Sequence, residues 1–381
     1  MSRAPHESDV LIIGGGLMGV ATAFFLRRQH GRSVTLLERE LVGRQASGVN
    51  FGNVRRQGRA LEQMPLANRA RAVWGRVREL LGEDLEFAPL GHLRVCYTAE
   101  QAATLEQHAA DARPLGLELE LLSAAMLRQR YGFFSGEVVA GSLSPVDGHA
   151  NPRLAGPAFA RAARRAGAEV LEHKQVLQVE QDGGGFVAHT ADGEHYRGAQ
   201  LLVAAGAWSG PLAAAFGEPV PLTAHAPQMG VTEPVAYAIG PSIGVSSPVA
   251  VEGLYLRQIA RGNIVFGGGL REPAYPDLCR AYVTPDNTLR QMRELRRFMP
   301  ALARLQLLRV WSGIEGYLAD GRPVIGPSAR VPGLHYAFGF NGEGFALSPG
   351  VGETMAEFLA TGATATPLAA FSIGRFAPAN A

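Results

Sequence analysis

Val10-Leu11-Ile12-Ile13-Gly14-Gly15-Gly16-Leu17-Met18-Gly19 is the stretch whose reading decides the architecture. Four apolar residues closed by glycine read as a short strand buried on both faces of a parallel sheet. Residues 20–26, Val-Ala-Thr-Ala-Phe-Phe-Leu, read as the crossover helix behind it. Gly14, Gly16 and Gly19 fill G-x-G-x-x-G spacing. In that spacing the first glycine permits a tight turn, the second lets backbone approach a pyrophosphate, and the third lets helix pack on strand. The diphosphate then rests on the free N–H groups of the helix N-terminus. Alone, the motif is weak. Its context strengthens it: Gly31-Arg32 turns the chain into a second apolar run, 33–37, ending at Glu38. That acid lies 38 − 19 = 19 positions past the last glycine, near the ~20 expected of a carboxylate gripping ribose hydroxyls. A glycine-rich turn beside a solvated glutamate does not explain strand, turn, helix, strand and acid in that order; a dinucleotide site does.

The bulk properties narrow the class. At 381 residues and 47% hydrophobic content the chain can build a large core and more than one average domain. A net charge of +2 and a pI near 8.6 imply no strong pull toward nucleic acid or an anionic membrane. The arginines of 69–71 and 161–165 sit on amphipathic helical patterns and read as solvated faces. Two cysteines, Cys96 and Cys279, argue against a disulfide framework, a zinc site or an iron–sulfur cluster. No apolar run approaches a membrane span of ~18–20 residues. The polar leader 1–8 lacks an apolar core and cleavage site, which points to a soluble, cytoplasmic protein.

Along the chain, the glycine-punctuated polar stretch 43–53 reads as a loop without regular structure. Helical periodicity returns over 61–81 and 99–113, with strand patterns over 92–97 and 117–122. Asn151 suits an N-cap and Pro152 the first position of a helix over 154–166, stopped by Gly167. Strand patterns follow over 168–171, 176–180, 186–190 and 196–203, the last ending at an Ala-Gly corner, 205–206. Residues 220–318 break into short β-like pieces, including 253–257 and 263–266, interrupted by a helix over 287–298 capped by Asp286. A strand over 333–340 runs into Asn341-Gly342-Glu343-Gly344-Phe345, and 351–359 reads as a helix whose start is marked by Ser348-Pro349-Gly350. Nucleotide-type elements at both ends with β-rich matter between them predict two domains exchanging the chain more than once.

These residues carry a family resemblance. Residues 14–19 with Glu38-Arg39, then 46–50, 147–152, 203–209, 320–326, 339–345 and the closing 371–376, resemble the D-amino-acid oxidase-like flavoprotein superfamily, to which glycine and sarcosine oxidases belong. The nearest look is of bacterial amine-dehydrogenase subunits, such as D-hydroxyproline dehydrogenase β subunits, opine oxidases and hydrogen cyanide synthase. The resemblance implies an α/β fold: a Rossmann-type FAD-binding domain over 1–87, 145–220 and 320–381, and an α+β substrate domain with a largely antiparallel sheet over 88–144 and 221–319. It implies FAD touching Gly14, Gly15, Gly16, Leu17, Met18, Gly19, Glu38, Arg39, Gln45, Ala46, Ser47, Asn50 and Gly52. Further along it implies contacts from Val176, Ala205, Gly206, Trp208, Gly313, Asn341, Gly342, Gly344, Phe345 and Ala346. Reduced flavin carries negative charge near N1 and O2, and backbone N–H groups of 342–346 before the last helix can stabilise it.

The resemblance also implies the reaction: hydride transfer from an amine-bearing carbon to flavin N5, giving an imine that water hydrolyses. Such chemistry needs orientation and a neutral amine. An arginine fork suits a substrate carboxylate best. Here the chain departs from the family pattern. Glu315 stands at the glycine oxidase arginine position, Ala346 at the sarcosine oxidase lysine position and Glu343 at a position often histidine. Gly313 stands where some relatives carry the cysteine bonded to flavin, so FAD is expected without a covalent link. Candidate carboxylate ligands are Arg55, Arg56 and Arg257, the last beside Tyr255. Alternatively Glu315 and Glu343 make an acidic pocket for a cationic or dibasic substrate. No lysine stands out as flavin-facing, which favours a dehydrogenase over an oxidase, and the resemblance is compatible with the catalytic subunit of a heteromeric complex. Two other readings are a 2-hydroxy-acid dehydrogenase and a flavin-binding subunit without turnover. No single catalytic residue is singled out, and no metal is expected.

Overall fold

The strand His6–Ile13 pairs in parallel with Val34–Leu37 on one side and His195–Val203 on the other. Its register sets Ile13 beside both Leu37 and Val203, so three strands end at one edge. In a doubly wound sheet that edge is where a ligand binds. The computed structural model describes residues 6–377, so most of the polar leader, residues 1–5, lies outside the described residues. The main path of this sheet runs 324–327, 334–338, 195–203, 6–13, 34–37, 169–171, with Val176–Asp182 and Gly185–Thr190 forming an antiparallel extension from 195–203. Helix Leu17–His30 lies against it, between helix Pro152–Arg165 and helix Gly344–Thr361. Phe24 meets Phe25 and Phe159 edge-on, at ring distances of 5.0 and 5.9 Å. A Cβ on Gly352 would overlap Ala21, so the two helices cross almost backbone to backbone.

A second eight-stranded sheet runs 307–312, 228–234, 263–268, 254–258, 242–245, 92–96, 140–144, 120–123. It is antiparallel except where Ser242–Val245 pairs in parallel with His92–Cys96. Its buried face, with Leu93, Val95, Ile243, Leu256 and Phe266, packs on Leu295 and Phe298 of the helix Pro285–Phe298. A small sheet of 280–281, 272–275, 223–226 and 315–317 lies apart from both. Among the described residues no helix is long and apolar enough to cross a membrane.

Several sequence expectations need correction. The helix expected over 61–81 is a 3-10 turn Leu61–Gln63 followed by helices Met64–Gly75 and Val77–Leu81, broken at Arg76. The stretch 43–53 is not wholly irregular, since Ala46–Val49 forms one helical turn and Asn53–Val54 a short strand. Thr284, not Asp286, occupies the N-cap of Pro285–Phe298, because Pro285 suits the first helical position. The strand expected over 117–122 is Glu120–Ser123. The last helix begins at Gly344, seven positions before 351, and runs through Pro349. Pro349 has no N–H for the Phe345 carbonyl, and the Ser348 hydroxyl donates to that carbonyl instead, at 2.9 Å. That substitution carries the helix N-terminus back to the cavity edge.

Candidate active site

Two cavities meet at the C-terminal edge of the first sheet. The first, of about 400 Å³, opens on the glycine turn. Gly14 adopts φ +111°, and a Cβ there would overlap the Ala204 carbonyl. Gly16 caps helix 17–30 with extended backbone and no side-chain partner, and no acid stands in the first turn. Helix N–H groups and their partial positive charge therefore face the cavity. The Leu17 N–H donates to Ser47 Oγ at 2.9 Å, which ties the 46–49 turn to the helix start. A Cβ on Gly19 would overlap the Gly14 carbonyl, so glycine there lets helix and turn close up.

Glu38 fixes the other end of the turn. Its Oε2 accepts from the Gly15 N–H at 2.7 Å and its Oε1 from the Glu40 N–H at 2.8 Å. Burial pushes the carboxyl up, while these two bonds and the Arg39 charge pull against that. Arg39 lies over the Trp208 ring at 4.5 Å with its Nε unpartnered, and Trp208 Nε1 donates to the Pro276 carbonyl at 3.1 Å. At the far end Asn341, at φ +53°, accepts from the Leu318 N–H at 2.7 Å and leaves its buried Nδ2 without a partner. The donor set fits an extended dinucleotide: helix N–H groups for phosphates, a carboxylate for ribose hydroxyls, Asn341 and the start of helix 344–361 for ring acceptors.

Of the residues assigned to the cofactor, Gly14, Gly16, Leu17, Met18, Glu38, Arg39, Gln45, Ala46, Ser47 and Asn50 line this cavity. Val176, Ala205, Gly206, Trp208, Asn341, Gly342, Gly344 and Phe345 do so as well. Gly52 and Ala346 line the second cavity instead, and Gly15, Gly19 and Gly313 line neither. Gly313 lies against Val49, which a Cβ would overlap. Sequence reasoning passed over Lys174, Gln175 and Leu177, which line the cavity on either side of Val176. Lys174 is also tied to Asp192 and Glu194, at 2.5 and 2.6 Å.

The second cavity, of about 600 Å³, shares Asn50, Glu315, Asn341, Gly342 and Phe345 with the first. The antiparallel sheet contributes Met229 and Tyr255, whose hydroxyl donates to Met229 Sδ at 3.6 Å, and Phe51 packs edge-on against the Tyr255 ring at 4.8 Å. Glu343 sits between two guanidiniums: Arg55 Nη2 lies 3.1 Å from Oε1 and Arg59 Nη1 3.1 Å from Oε2. Burial pushes the Glu343 carboxyl up, but the Arg59 and Arg55 charges bring it below its usual range. The same burial lowers Arg59 to about 10. Arg55 is further committed through Nη1 to the Gln57 carbonyl at 2.6 Å.

Glu315 and Tyr317 form the opposite wall, with the Tyr317 hydroxyl donating to Glu315 Oε2 at 2.7 Å. Burial raises the Glu315 carboxyl, opposed by that hydrogen bond and by Arg271. Arg271 lies over the Tyr317 ring at 4.4 Å and makes no hydrogen bond or ion pair with the described residues.

Of the six residues assigned to the substrate, Arg55, Tyr255, Glu315 and Glu343 line this cavity. Arg56 and Arg257 do not, and their candidacy as carboxylate ligands is corrected. Arg56 is spent on the buried Asp147, at 3.3 Å, and on Asn68. Arg257 is buried, donates to the Phe51 carbonyl at 2.8 Å and contacts His149 Nδ1 at 3.2 Å. Sequence reasoning missed Arg59, Arg271 and Tyr317. Tyr317, two residues from Glu315 on one strand, shares its face, and that period-two spacing was the available signal. Three guanidiniums, Arg55, Arg59 and Arg271, and two carboxylates, Glu315 and Glu343, line this cavity.

Comparison with known proteins accords with this geometry. A glycine oxidase of Geobacillus kaustophilus is 26% identical over 97% of this chain and 97% of its own length. The sarcosine oxidase β subunit of Rhizobium meliloti is 27% identical, over 98% of this chain and 89% of its own. The crystal structure of L-proline dehydrogenase from P. horikoshii superposes with a TM-score of 0.90 at 26% identity, covering 98% of each chain. The family model described as DAO, FAD dependent oxidoreductase, matches residues 9–358, and the chain belongs to that family.

Proposed function

We propose that this FAD-dependent oxidoreductase oxidises the C–N bond of a carboxylate-bearing amine, an amino acid or its N-substituted form, with the dinucleotide along the first cavity and the substrate in the second. Amine or amino-acid oxidation is the chemistry of its relatives, glycine oxidase and sarcosine oxidase β subunit. One observation carries the substrate assignment: Arg271 is the guanidinium in the second cavity with no carboxylate or carbonyl partner among the described residues. A planar fork left free beside Tyr317 suits a carboxylate. Tyr255, Phe51 and Met229 supply the apolar wall that places the rest of the substrate. FAD supplies the hydride acceptor when bound. The chain supplies the Arg271 anchor, the backbone N–H groups of helix 344–361 and a pocket in which the reacting C–H can be held still.

FAD is held without a covalent bond on this reading, since Gly313 has no side chain to link and neither Cys96 nor Cys279 lines a cavity. Ala346, with no ammonium to offer, supports an electron acceptor other than oxygen, as in a dehydrogenase, and the likeness to a protein named as the β subunit of a sarcosine oxidase supports a heteromeric assembly. Anaerobic mixing of the FAD-loaded protein with L-proline, sarcosine and a panel of other amino acids tests the reading. It expects the visible flavin band to bleach with at least one amine, and Arg271→Ala to raise KM for it. It further expects an artificial electron acceptor to support turnover better than air. A flavin left oxidised by the whole panel would contradict it.

A further inference from the structure

We infer that Glu315, oriented by Tyr317, takes the proton from the substrate's ammonium group and so sets the preference for amines over 2-hydroxy acids. This rests on the functional reading above and deepens it. An amino acid reaches the site as an ammonium ion, whose nitrogen lone pair is tied up by a proton. While that proton stays, the neighbouring C–H cannot leave as hydride, because no lone pair is free to form the C=N bond. A positioned base removes the obstacle.

Two carboxylates line the second cavity, and they are not equivalent. Glu343 holds one guanidinium on each oxygen, so a proton added to either oxygen displaces an ion pair. Glu315 forms no ion pair within 4 Å among the described residues and is approached instead by a neutral hydroxyl at 2.7 Å. It lines both cavities, so it stands where the nucleotide and substrate spaces join. The groups facing it are Tyr317 on its own strand, His225 on the paired strand, Arg271 across the Tyr317 ring, and Tyr255 from the antiparallel sheet. Arg271 and Glu315 thus offer one cation and one anion on the same wall, the complement of a zwitterionic amino acid. Burial raises the Glu315 carboxyl, which brings its basicity closer to that of a useful acceptor.

The step balances. An N–H proton passes from the substrate ammonium to a Glu315 carboxylate oxygen, leaving a neutral amine and a carboxylic acid. The neutral amine so formed leaves the adjacent C–H free to depart as hydride with its two electrons, for which FAD would supply the acceptor when bound. The nitrogen lone pair closes the C=N bond, and water later cleaves it. A 2-hydroxy acid brings a neutral hydroxyl that can donate a hydrogen bond to Glu315 but carries no positive charge to pair with the carboxylate and no ammonium proton to give up.

The experiment uses FAD-loaded protein, the wild type beside Glu315→Gln and Tyr317→Phe, with L-proline and sarcosine as amines. Pyrrole-2-carboxylate, an aromatic acid with no hydrogen on the carbon that bears the carboxylate, serves as a binding probe read through the flavin spectrum. Glu315→Gln should slow flavin reduction about a hundredfold or more, while the probe binds within about twofold of wild type. Wild-type reduction should fall as pH drops through the Glu315 titration. Tyr317→Phe, which removes a donor to the carboxylate, should move that fall to higher pH by about one unit. Glu315→Gln as fast as wild type, or a Tyr317→Phe profile that stays in place, would overturn this inference alone. A wild-type flavin reduced by 2-hydroxy acids and by no amine would overturn the functional reading with it.

Discussion

The nucleotide cavity draws its binding groups mainly from backbone, at the glycine turn 14–19 and at the corners 204–208 and 339–345 that the sheet brings beside it, whereas the substrate cavity is lined mainly by side chains. Gly14, Gly16 and Gly19 act by lacking a Cβ, and the helix they open offers N–H groups that no side chain competes for. In the second cavity Arg55, Arg59, Tyr255, Arg271, Glu315 and Glu343 meet from the 53–59 loop, the antiparallel sheet, the small sheet and the last helix. Backbone sites are intolerant of substitution and indifferent to substrate. Side-chain sites trade partners, so a change alters selectivity where the side chain faces the cavity unpartnered, as Arg271 does, and folding where it holds a buried partner, as Arg59 does.

That contrast can be broken most severely at Gly14. Gly14→Ala adds a Cβ that overlaps the Ala204 carbonyl at a φ that alanine rarely adopts, and the combined cost is about 3 kcal/mol or more. FAD affinity should fall by at least about a hundredfold, read as protein that purifies without the flavin band.

Arg59→Met comes next. It leaves Glu343 buried with Arg55 as its remaining partner, and breaking such a pair costs about 3–5 kcal/mol. Thermal and urea unfolding should register this, with the lower end expected because Arg55 stays. The pH dependence follows from Glu343 being held below its usual range. Its contribution is present in full above the unfolded carboxyl value of ~4.3, and is lost as pH falls through the lower folded value. The acid side of the stability profile should therefore flatten in Arg59→Met.

Arg271→Ala sharpens the comparison from the other side. Losing a charge-assisted contact to substrate costs about 1.5–3 kcal/mol, so kcat/KM for a carboxylate-bearing amine should drop by about ten- to a hundredfold. Stability should move by less than about 0.5 kcal/mol, because no described residue depends on this guanidinium for a hydrogen bond. An equal loss for amines lacking a carboxylate would remove Arg271 from substrate binding. The smallest effect is expected from Glu38→Gln, which keeps the shape but can accept only one of the two backbone bonds now made to Gly15 and Glu40. A loss of about 1 kcal/mol, roughly fivefold in FAD affinity, is expected by equilibrium titration.

The same contrast explains what could be read from the sequence. Strand 6–13, helix 17–30, the acid at 38 and the cap at Asn151-Pro152 follow rules of period, glycine spacing and local hydrogen bonding, and the structure places them accordingly. The start of the last helix escaped because Pro349 looks like a boundary until the Ser348 hydroxyl is seen to take the place of its missing N–H. Arg56 and Arg257 looked like ligands because a cation's role depends on which carboxylate or carbonyl the tertiary fold sets beside it. Asp147 claims one and the Phe51 carbonyl the other. Arg271 had no local signal at all. Its meaning lies in an unclaimed guanidinium over a ring 46 positions along the chain (317 − 271 = 46), a relation that no window of sequence contains.

The most direct test of two adjoining sites is a crystal structure of the FAD-loaded protein with pyrrole-2-carboxylate. The flavin ring should end beside Asn341 and the start of helix 344–361, with the acid in the second cavity and its carboxylate on Arg271. A carboxylate bound instead by Arg55 or Arg59, with Arg271 turned to solvent, would contradict the assignment of substrate to that wall.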